Sequence, residues 1–210
     1  MRVLGRDHQH RQEHLEANLT ATLQQLRATD PHASLQHRWV PYAQISTALK
    51  RAVIASEDSN FTGHDGVEWG AIRQAWAYNL KQEERGTHRR RGGSTITQQL
   101  AKNLFLSGSR SYLRKGQELV LTYMIEHVMP KRRILELYLN VAEWGVGVFG
   151  AEAAARHYYK TSAAKLGSSQ AARLAAMLPN PRYYDKHRHT SYLNSRTGTL
   201  TRRMRMVDIP

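Results

Sequence analysis

Three acids and one histidine lie close together in segment 56–66. Glu57 and Asp58 are adjacent, and His64 and Asp65 follow after a short stretch. A carboxylate in such a cluster can act as a general base, which takes a proton from a reacting hydroxyl group. Acids are also common on solvated surfaces, so an ordinary acidic junction between a helix and a loop explains the same residues equally well.

A glycine pair, Gly92-Gly93, leads into a second polar segment. Ser94 and Thr95 are typical of the start of a helix, where free backbone N–H groups attract anions. Gln99 and Lys102 lie three residues apart, so they share one side of that helix. The segment indicates a phosphate-binding helix start. A plain capped helix with a solvated polar face is the simpler explanation when the segment is taken alone.

Cationic residues recur further along the chain, in the stretch that contains Arg110, Arg114, Lys115 and Glu118. Residues four apart, such as Arg110 and Arg114, form one stripe on a helix. An exposed stripe of ion pairs is one explanation, and each such pair contributes roughly a few tenths of a kcal/mol. Because Arg114 precedes Glu118, this pair has the less favourable orientation on a helix, which favours a binding role.

Two short patterns resemble motifs of other protein classes. Segment 145–150 fits the dinucleotide-binding pattern G-x-G-x-x-G, but the preceding stretch looks helical and no acid follows about twenty residues later. Segment 162–165 fits the S-x-x-K pattern of penicillin-binding enzymes, but the accompanying S-D-N and K-T-G elements are absent from the sequence. The eleven histidines show no metal-ligand spacing, so we expect no metal site.

The elements that must position these residues are predicted to be helices. Apolar residues recur at helical spacing in several stretches, which are approximately 46–58, 67–81, 94–104, 111–129, 131–144, 150–159 and 168–178. Pro130 ends the longest of them. The pattern in 111–129 predicts one buried face, formed by Leu113, Val120, Met124 and Val128. Residues 9–28 indicate a short amphipathic helix, and strand signals are few, so the chain is predicted to be mainly α.

Length and charge narrow the choice of function. The 210 residues, of which 40% are hydrophobic, suffice for one globular domain with a sizeable core. A formal charge of +14 indicates anionic partners, such as phosphate-bearing substrates, nucleic acid or an acidic membrane surface. The absence of cysteine excludes disulfides and thiolate chemistry. Because the sequence has no run of roughly 18 apolar residues and no signal peptide, we expect a soluble or peripheral chain.

Taken together, these segments resemble the family of glycosyltransferases that polymerise lipid II, found alone or fused to transpeptidases in class A penicillin-binding proteins. The resemblance rests on five motifs in the family's order: Glu57-Asp58 to His64, 92–103, Arg114-Lys115 with Glu118, 131–140 and 170–181. It extends over segments 141–155 and 178–181, which are most similar to the monofunctional biosynthetic members. It implies a lysozyme-like, two-lobed glycosyltransferase domain at 39–210, after an N-terminal amphipathic or juxtamembrane segment at 1–38.

The resemblance also implies a mechanism and a set of site residues. Glu57 is the general base that activates the 4-hydroxyl of the acceptor sugar, and Glu118 is the second catalytic carboxylate. The reaction inverts the anomeric carbon, forms a β-1,4 bond and releases undecaprenyl diphosphate, whose charge needs cations more than it needs a proton. No cofactor is implied, although stimulation by a divalent metal stays open. The implied substrate-binding residues are Asp58, Phe61, His64, Ser94, Gln99, Lys102, Arg110, Arg114 and Lys115.

The implied partners are lipid II, the growing lipid-linked glycan and an anionic membrane surface, without nucleic acid. The implied location is the periplasmic face of the bacterial inner membrane. Members of the family usually begin with a transmembrane anchor, which this sequence lacks, and Gln117 stands where some relatives carry a further lysine.

Two other classes of function remain alternatives at this point. A basic nucleic-acid-binding protein would explain the charge of +14, but the sequence carries no recognised nucleic-acid motif. A lytic, lysozyme-like hydrolase would need a neutral general acid for its alkoxide leaving group, whereas Glu118 lies among cations.

Overall fold

The structure, a computed structural model, describes residues 24, 27–28, 34–86, 92–105 and 112–210, with the side chains of 112–114 outside the description. Helices dominate these residues, which confirms the prediction of a mainly α fold. The α-helices are α1 (Thr47–Glu57), α2 (Trp69–Glu84), α3 (Ile96–Phe105), α4 (Tyr112–Val128), α5 (Lys131–Val141), α6 (Ala151–Tyr159), α7 (Ser168–Met177), α8 (Pro181–Lys186) and α9 (Ser191–Arg203). Single 3-10 turns lie at Tyr42–Gln44, Phe61–Gly63 and Ala163–Lys165.

Two groups of helices share one hydrophobic core. In the first group α7 packs against both α1 and α9, and in the second α3 packs against α4 and α5. Ser46 caps α1, as its residue type predicts, by accepting a hydrogen bond from the N–H of Leu49 at 3.1 Å. Small side chains allow α7 to approach its neighbours closely. Its fully buried residues include Ala171, Ala172, Ala175 and Ala176.

A small sheet packs against α6. Each strand has only two or three residues, which explains why the sequence gives little strand signal. β1 pairs with β3 in parallel, and β2 pairs with β3 in antiparallel orientation. The strands are β1 (Gln36–His37), β2 (Glu143–Gly145) and β3 (Val148–Phe149).

The glycine pattern of segment 145–150 has a structural explanation. Gly150 has a φ of 84°, and a Cβ at this position would lie 2.7 Å from the carbonyl oxygen of Asn140. A glycine is therefore needed for the turn into α6. The side-chain amide of Asn140 also bonds both the N–H and the carbonyl of Val40, each at 2.9 Å. These contacts fasten the segment before α1 onto α5.

The apolar faces of α2 and α4 lie on the protein surface. The predicted burial of Val120, Met124 and Val128 is wrong, since these side chains are 60%, 58% and 67% exposed. On α2, Trp69 and Trp76 are likewise exposed. Periodicity shows that a helix has an apolar face, but it does not show whether another element covers that face.

Several predictions about the chain's organisation remain untested. The helix predicted at 9–28 lies outside the described residues, apart from Gln24, Arg27 and Ala28, which are helical. The domain boundary after residue 38 stays a prediction. Across the described ranges, none of the helices combines the length and the hydrophobicity needed to cross a bilayer.

Candidate active site

Glu57 is the last residue of α1, and two neutral groups hold its carboxylate. The Ser56 hydroxyl donates to Oε1 at 2.8 Å, and the side-chain amide of Gln99 donates to Oε2 at 3.1 Å. Within the part of the chain that the structure describes, no lysine or arginine forms an ion pair with Glu57. The residue is partly exposed. The carboxylate is thus oriented by hydrogen bonds and remains accessible.

Each of the two donors is itself held by a residue from a distant helix. Nη2 of Arg196, on α9, donates to the Ser56 hydroxyl oxygen at 3.1 Å. That hydroxyl group also lies 3.1 Å from the carbonyl oxygen of Ala175 on α7. The Tyr138 hydroxyl, on α5, donates to Oε1 of Gln99 at 3.0 Å. The surroundings of the glutamate are therefore built from α1, α3, α5, α7 and α9.

The protonation state of Tyr138 fixes the orientation of the Gln99 amide. Burial raises the pKa of the Tyr138 hydroxyl well above its usual value, and the charges of Glu57 and Asp58 raise it further. The hydroxyl therefore stays protonated and can donate. Because a carboxylate only accepts, the amide nitrogen of Gln99 must face Glu57 and its oxygen must face Tyr138.

Asp58 points into the protein rather than toward a substrate. Its Oδ1 lies 2.9 Å from Nε2 of His64, and its Oδ2 accepts a hydrogen bond from the N–H of Ile96 at 3.1 Å. The N–H of Gly66 donates to Nδ1 of His64 at 3.0 Å, which assigns the ring proton to Nε2. The side chains of Asp58 and His64 are only 2% and 6% exposed. In this geometry both residues brace the site from inside.

Three backbone N–H groups at the start of α3 are bonded within the protein, and the binding of a phosphate at this helix start stays a prediction. The N–H of Ile96 is taken by Asp58. The N–H of Thr95 donates to Oε1 of Gln98 at 3.0 Å, and the N–H of Gln98 donates back to Oγ1 of Thr95 at 3.2 Å. This reciprocal pair confirms Thr95 as a cap. A carboxylate of the chain itself thus takes one of the N–H groups that we predicted to attract an anion.

Phe61 and Ser94 differ in their access to solvent. Phe61 is fully buried, and the Lys131 ammonium lies 4.6 Å from the centre of its ring. Its ring offers no surface to a substrate and instead packs beneath the site. Ser94 is partly exposed next to the cap of α3.

Of the four predicted cationic side chains, the structure describes two. Lys102 is exposed on the last turn of α3. Lys115 contacts Oε1 of Glu118 on α4 through its ammonium group, with 56% of the lysine side chain and 8% of the glutamate side chain exposed. Arg110 and the side chain of Arg114 lie outside the described residues, so their roles stay predictions.

Sequence reasoning missed three residues that support Glu57: Ser56, Tyr138 and Arg196. The sequence contained a signal for Tyr138, because this residue belongs to the apolar face of α5 and a buried tyrosine hydroxyl usually has a hydrogen-bond partner. No such signal existed for Arg196, which reaches Ser56 across 140 residues of sequence. Over the described ranges, no group of three or more His, Asp or Glu side chains is arranged to hold a metal ion.

Comparisons with known proteins agree on one family. A family profile described as transglycosylase matches residues 22–205. A protein of Bordetella pertussis is 80% identical over 188 residues, which are 90% of this chain and 78% of the relative. One from Bordetella avium is 74% identical over 201 residues, or 96% and 84% of the two chains. One from Herminiimonas arsenicoxydans is 62% identical over 185 residues, or 88% and 78%. Each of the three relatives is named biosynthetic peptidoglycan transglycosylase.

Proposed function

Because the chain belongs to the transglycosylase family and is a peptidoglycan glycosyltransferase, we propose that it polymerises lipid II into β-1,4-linked glycan strands. The donor is the growing lipid-linked glycan, and undecaprenyl diphosphate leaves from its anomeric carbon. The acceptor is the 4-hydroxyl of the terminal sugar of lipid II. Direct displacement by this hydroxyl inverts the anomeric carbon without a covalent intermediate.

Glu57 is the general base of this reaction. The observation that carries the assignment is the contrast between the two candidate carboxylates. Among the described residues, Glu57 accepts hydrogen bonds from the neutral donors Ser56 and Gln99 and forms no ion pair, whereas Glu118 contacts the ammonium group of Lys115. A base must take up a proton during the reaction, and a neighbouring cation opposes that uptake. Glu118 therefore serves the cationic side of the site, where it orients Lys115.

The leaving diphosphate is neutralised by lysine and arginine side chains. A diphosphate needs no general acid, because its charge is already well distributed over its oxygens and is stabilised further by cations. The exposed ammonium group of Lys102 and the partly exposed Ser94 are available for this role. Lys115 completes the described part of the set, and Arg110 and Arg114 join it by their resemblance to the family motif. No cofactor is needed for this chemistry.

For four residues we propose roles other than the substrate binding that the resemblance implies. Gln99 holds Glu57 and so belongs to the base rather than to the diphosphate site. Asp58, His64 and Phe61 are buried. Their contribution is to fix the end of α1 against the start of α3, and thereby to fix the base.

The protein works at a membrane surface, on the periplasmic face of the inner membrane. Its substrates carry long lipids, so the active site must come close to the bilayer. Exposed apolar side chains on α2 and α4 suit the boundary between headgroups and acyl chains, and the formal charge of +14 suits anionic lipids. These side chains include Trp69, Trp76, Tyr123, Met124 and Val128.

The experiment incubates the purified protein with lipid II in detergent and separates the glycan products by size. We expect polymer from the parent protein and none from Glu57→Gln, whose circular dichroism should match that of the parent. Glu84→Gln is the matched control, because Glu84 is the exposed last residue of α2 just as Glu57 is the last residue of α1. Full activity of Glu57→Gln would overturn the assignment of the base. Hydrolysis of glycan strands into shorter products would favour a hydrolase.

A further inference from the structure

Gln99 stands between a tyrosine and the carboxylate of Glu57. Its amide nitrogen lies 3.1 Å from Oε2 of Glu57, and its amide oxygen lies 3.0 Å from the hydroxyl of Tyr138. Gln99 is partly exposed, whereas Tyr138, on α5, is 2% exposed and packed in the hydrophobic core. A partly exposed side chain is thereby connected to a buried one in the core.

We propose that Tyr138 is a positioning residue for Glu57 and acts through Gln99. The proposal rests on the proposed role of Glu57 as the base. Tyr138 touches no substrate in this arrangement, because its hydroxyl is directed at the Gln99 amide oxygen. Its function is to keep that oxygen turned away from the carboxylate.

The physical reason is that an amide has one donor end and one acceptor end. With the Tyr138 hydroxyl in place, the oxygen of Gln99 has a buried donor to bond, so only its NH2 group can face Glu57. Without that hydroxyl, the Gln99 amide can turn over by about 180° without losing a hydrogen bond to residue 138. The amide oxygen would then face the carboxylate for part of the time, and the two acceptors would repel each other. Glu57 would lose a fixed orientation without losing its chemistry.

The consequence concerns turnover more than substrate binding. A base that is misplaced by about 1 Å can lower the rate of the chemical step by up to about 100-fold. We therefore expect Tyr138→Phe to lower kcat by about 10-fold or more, with an unchanged KM for lipid II. Gln99→Met, which keeps the side-chain length and removes both hydrogen bonds, should lower kcat at least as much.

The double variant separates positioning from packing. If Tyr138 acts through Gln99, Tyr138→Phe should have no further effect on kcat when Gln99 is already methionine. Tyr158→Phe is the matched control, because the Tyr158 hydroxyl also bonds a partner inside the protein, the carbonyl oxygen of Trp144 at 2.8 Å. It should lose stability to a similar extent and keep the parent kcat.

Three outcomes would overturn the proposal. The first is an unchanged kcat in Tyr138→Phe, and the second is that Tyr138→Phe lowers kcat by the same factor in the parent and in the Gln99→Met variant. The third is that Tyr158→Phe lowers kcat as much as Tyr138→Phe does. Activity of Glu57→Gln, measured in parallel, would instead overturn the proposed base, so the two failures are distinguishable.

A further measurement needs no change at Tyr138. The side-chain amide protons of Gln99, observed by NMR, should shift between the parent and Glu57→Gln, and identical signals would contradict the contact on which the proposal depends.

Discussion

Asp58 accepts a hydrogen bond from the backbone N–H of Ile96, 38 residues further along the chain, at 3.1 Å. Glu57, its neighbour, accepts one from Gln99 on the same helix. Two adjacent acids thus bond α3 at two points, one at its first residue and one a turn later. Asp58 fixes the position of the helix, and the same helix orients Glu57, so the structural role falls to one carboxylate and the proposed chemical role to its neighbour.

Asp58→Asn should destabilise the protein. The amide can accept from Ile96 through its oxygen, but its NH2 group then meets the Nε2 proton of His64, and two buried donors face each other. We expect the free energy of unfolding to fall by about 1–3 kcal/mol in a urea titration. Asp65→Asn, at an exposed position, should lower the free energy of unfolding by less than about 0.5 kcal/mol. Equal stabilities of the two variants would contradict the bracing role of Asp58.

Ser56→Ala should slow the reaction. The variant removes the hydrogen bond to Oε1 of Glu57 and with it the link to Arg196, so the carboxylate keeps only its bond to Gln99. We expect kcat to fall by about 10-fold with little change in KM, as measured by polymerisation rate against lipid II concentration. Ser59→Ala, at a nearby exposed position, should keep the parent rate. A normal kcat in Ser56→Ala would show that this donor is dispensable.

Lys102→Ala should weaken the engagement of the lipid-linked donor. The exposed ammonium group is proposed to contact the diphosphate, and a hydrogen bond to a charged group contributes about 1.5–3 kcal/mol. We expect KM to rise by about 10-fold or more, and Lys102→Arg to recover part of the loss. Lys81→Ala is the control, because Lys81 lies on the last turn of α2 as Lys102 does on α3. Unchanged kinetics in Lys102→Ala would remove this lysine from the site.

Removing apolar side chains from α2 and α4 should weaken membrane binding. Trp76 and Val128 are 68% and 67% exposed. Their replacement by serine should lower partitioning into vesicles of anionic lipid by about 10-fold or more, since burial of one such side chain is worth about 1.5–3 kcal/mol. Met206→Ser changes an apolar residue that is 84% exposed near the C-terminal end of the chain. An equal loss in that control would mean that α2 and α4 are not the membrane-facing surface.

Much of the fold follows from local sequence signals. Ser46 and Thr95 cap the helices that they precede, and Pro130 separates α4 from α5, because these residue types act on the backbone next to them. The interpretation of segment 145–150 as something other than a nucleotide site also agrees with the structure, where Gly150 is required by the nearby carbonyl of Asn140.

The parts that sequence reasoning missed depend on contacts between distant segments. Tyr138 reaches Gln99 across 39 residues, and Arg196 reaches Ser56 across 140. No spacing rule within a helix reports such a pair. The same reason limits the prediction at the start of α3, because a residue that caps a helix does not show that another segment, here Asp58, bonds one of the backbone N–H groups. The surface position of Val128 likewise depends on the packing of α4 against other segments, which the periodicity within α4 does not report.

The five helices that meet around Glu57 have a consequence for how the enzyme fails. The direct donors to Glu57, the proposed base, lie on α1 and α3, and residues of α5, α7 and α9 hold those donors in turn, so the arrangement is complete only when all five helices are packed. Loss of activity on heating should therefore coincide with the cooperative loss of tertiary structure instead of preceding it. Turnover would then report on the integrity of the whole domain, from Ser56 near its beginning to Arg196 near its end.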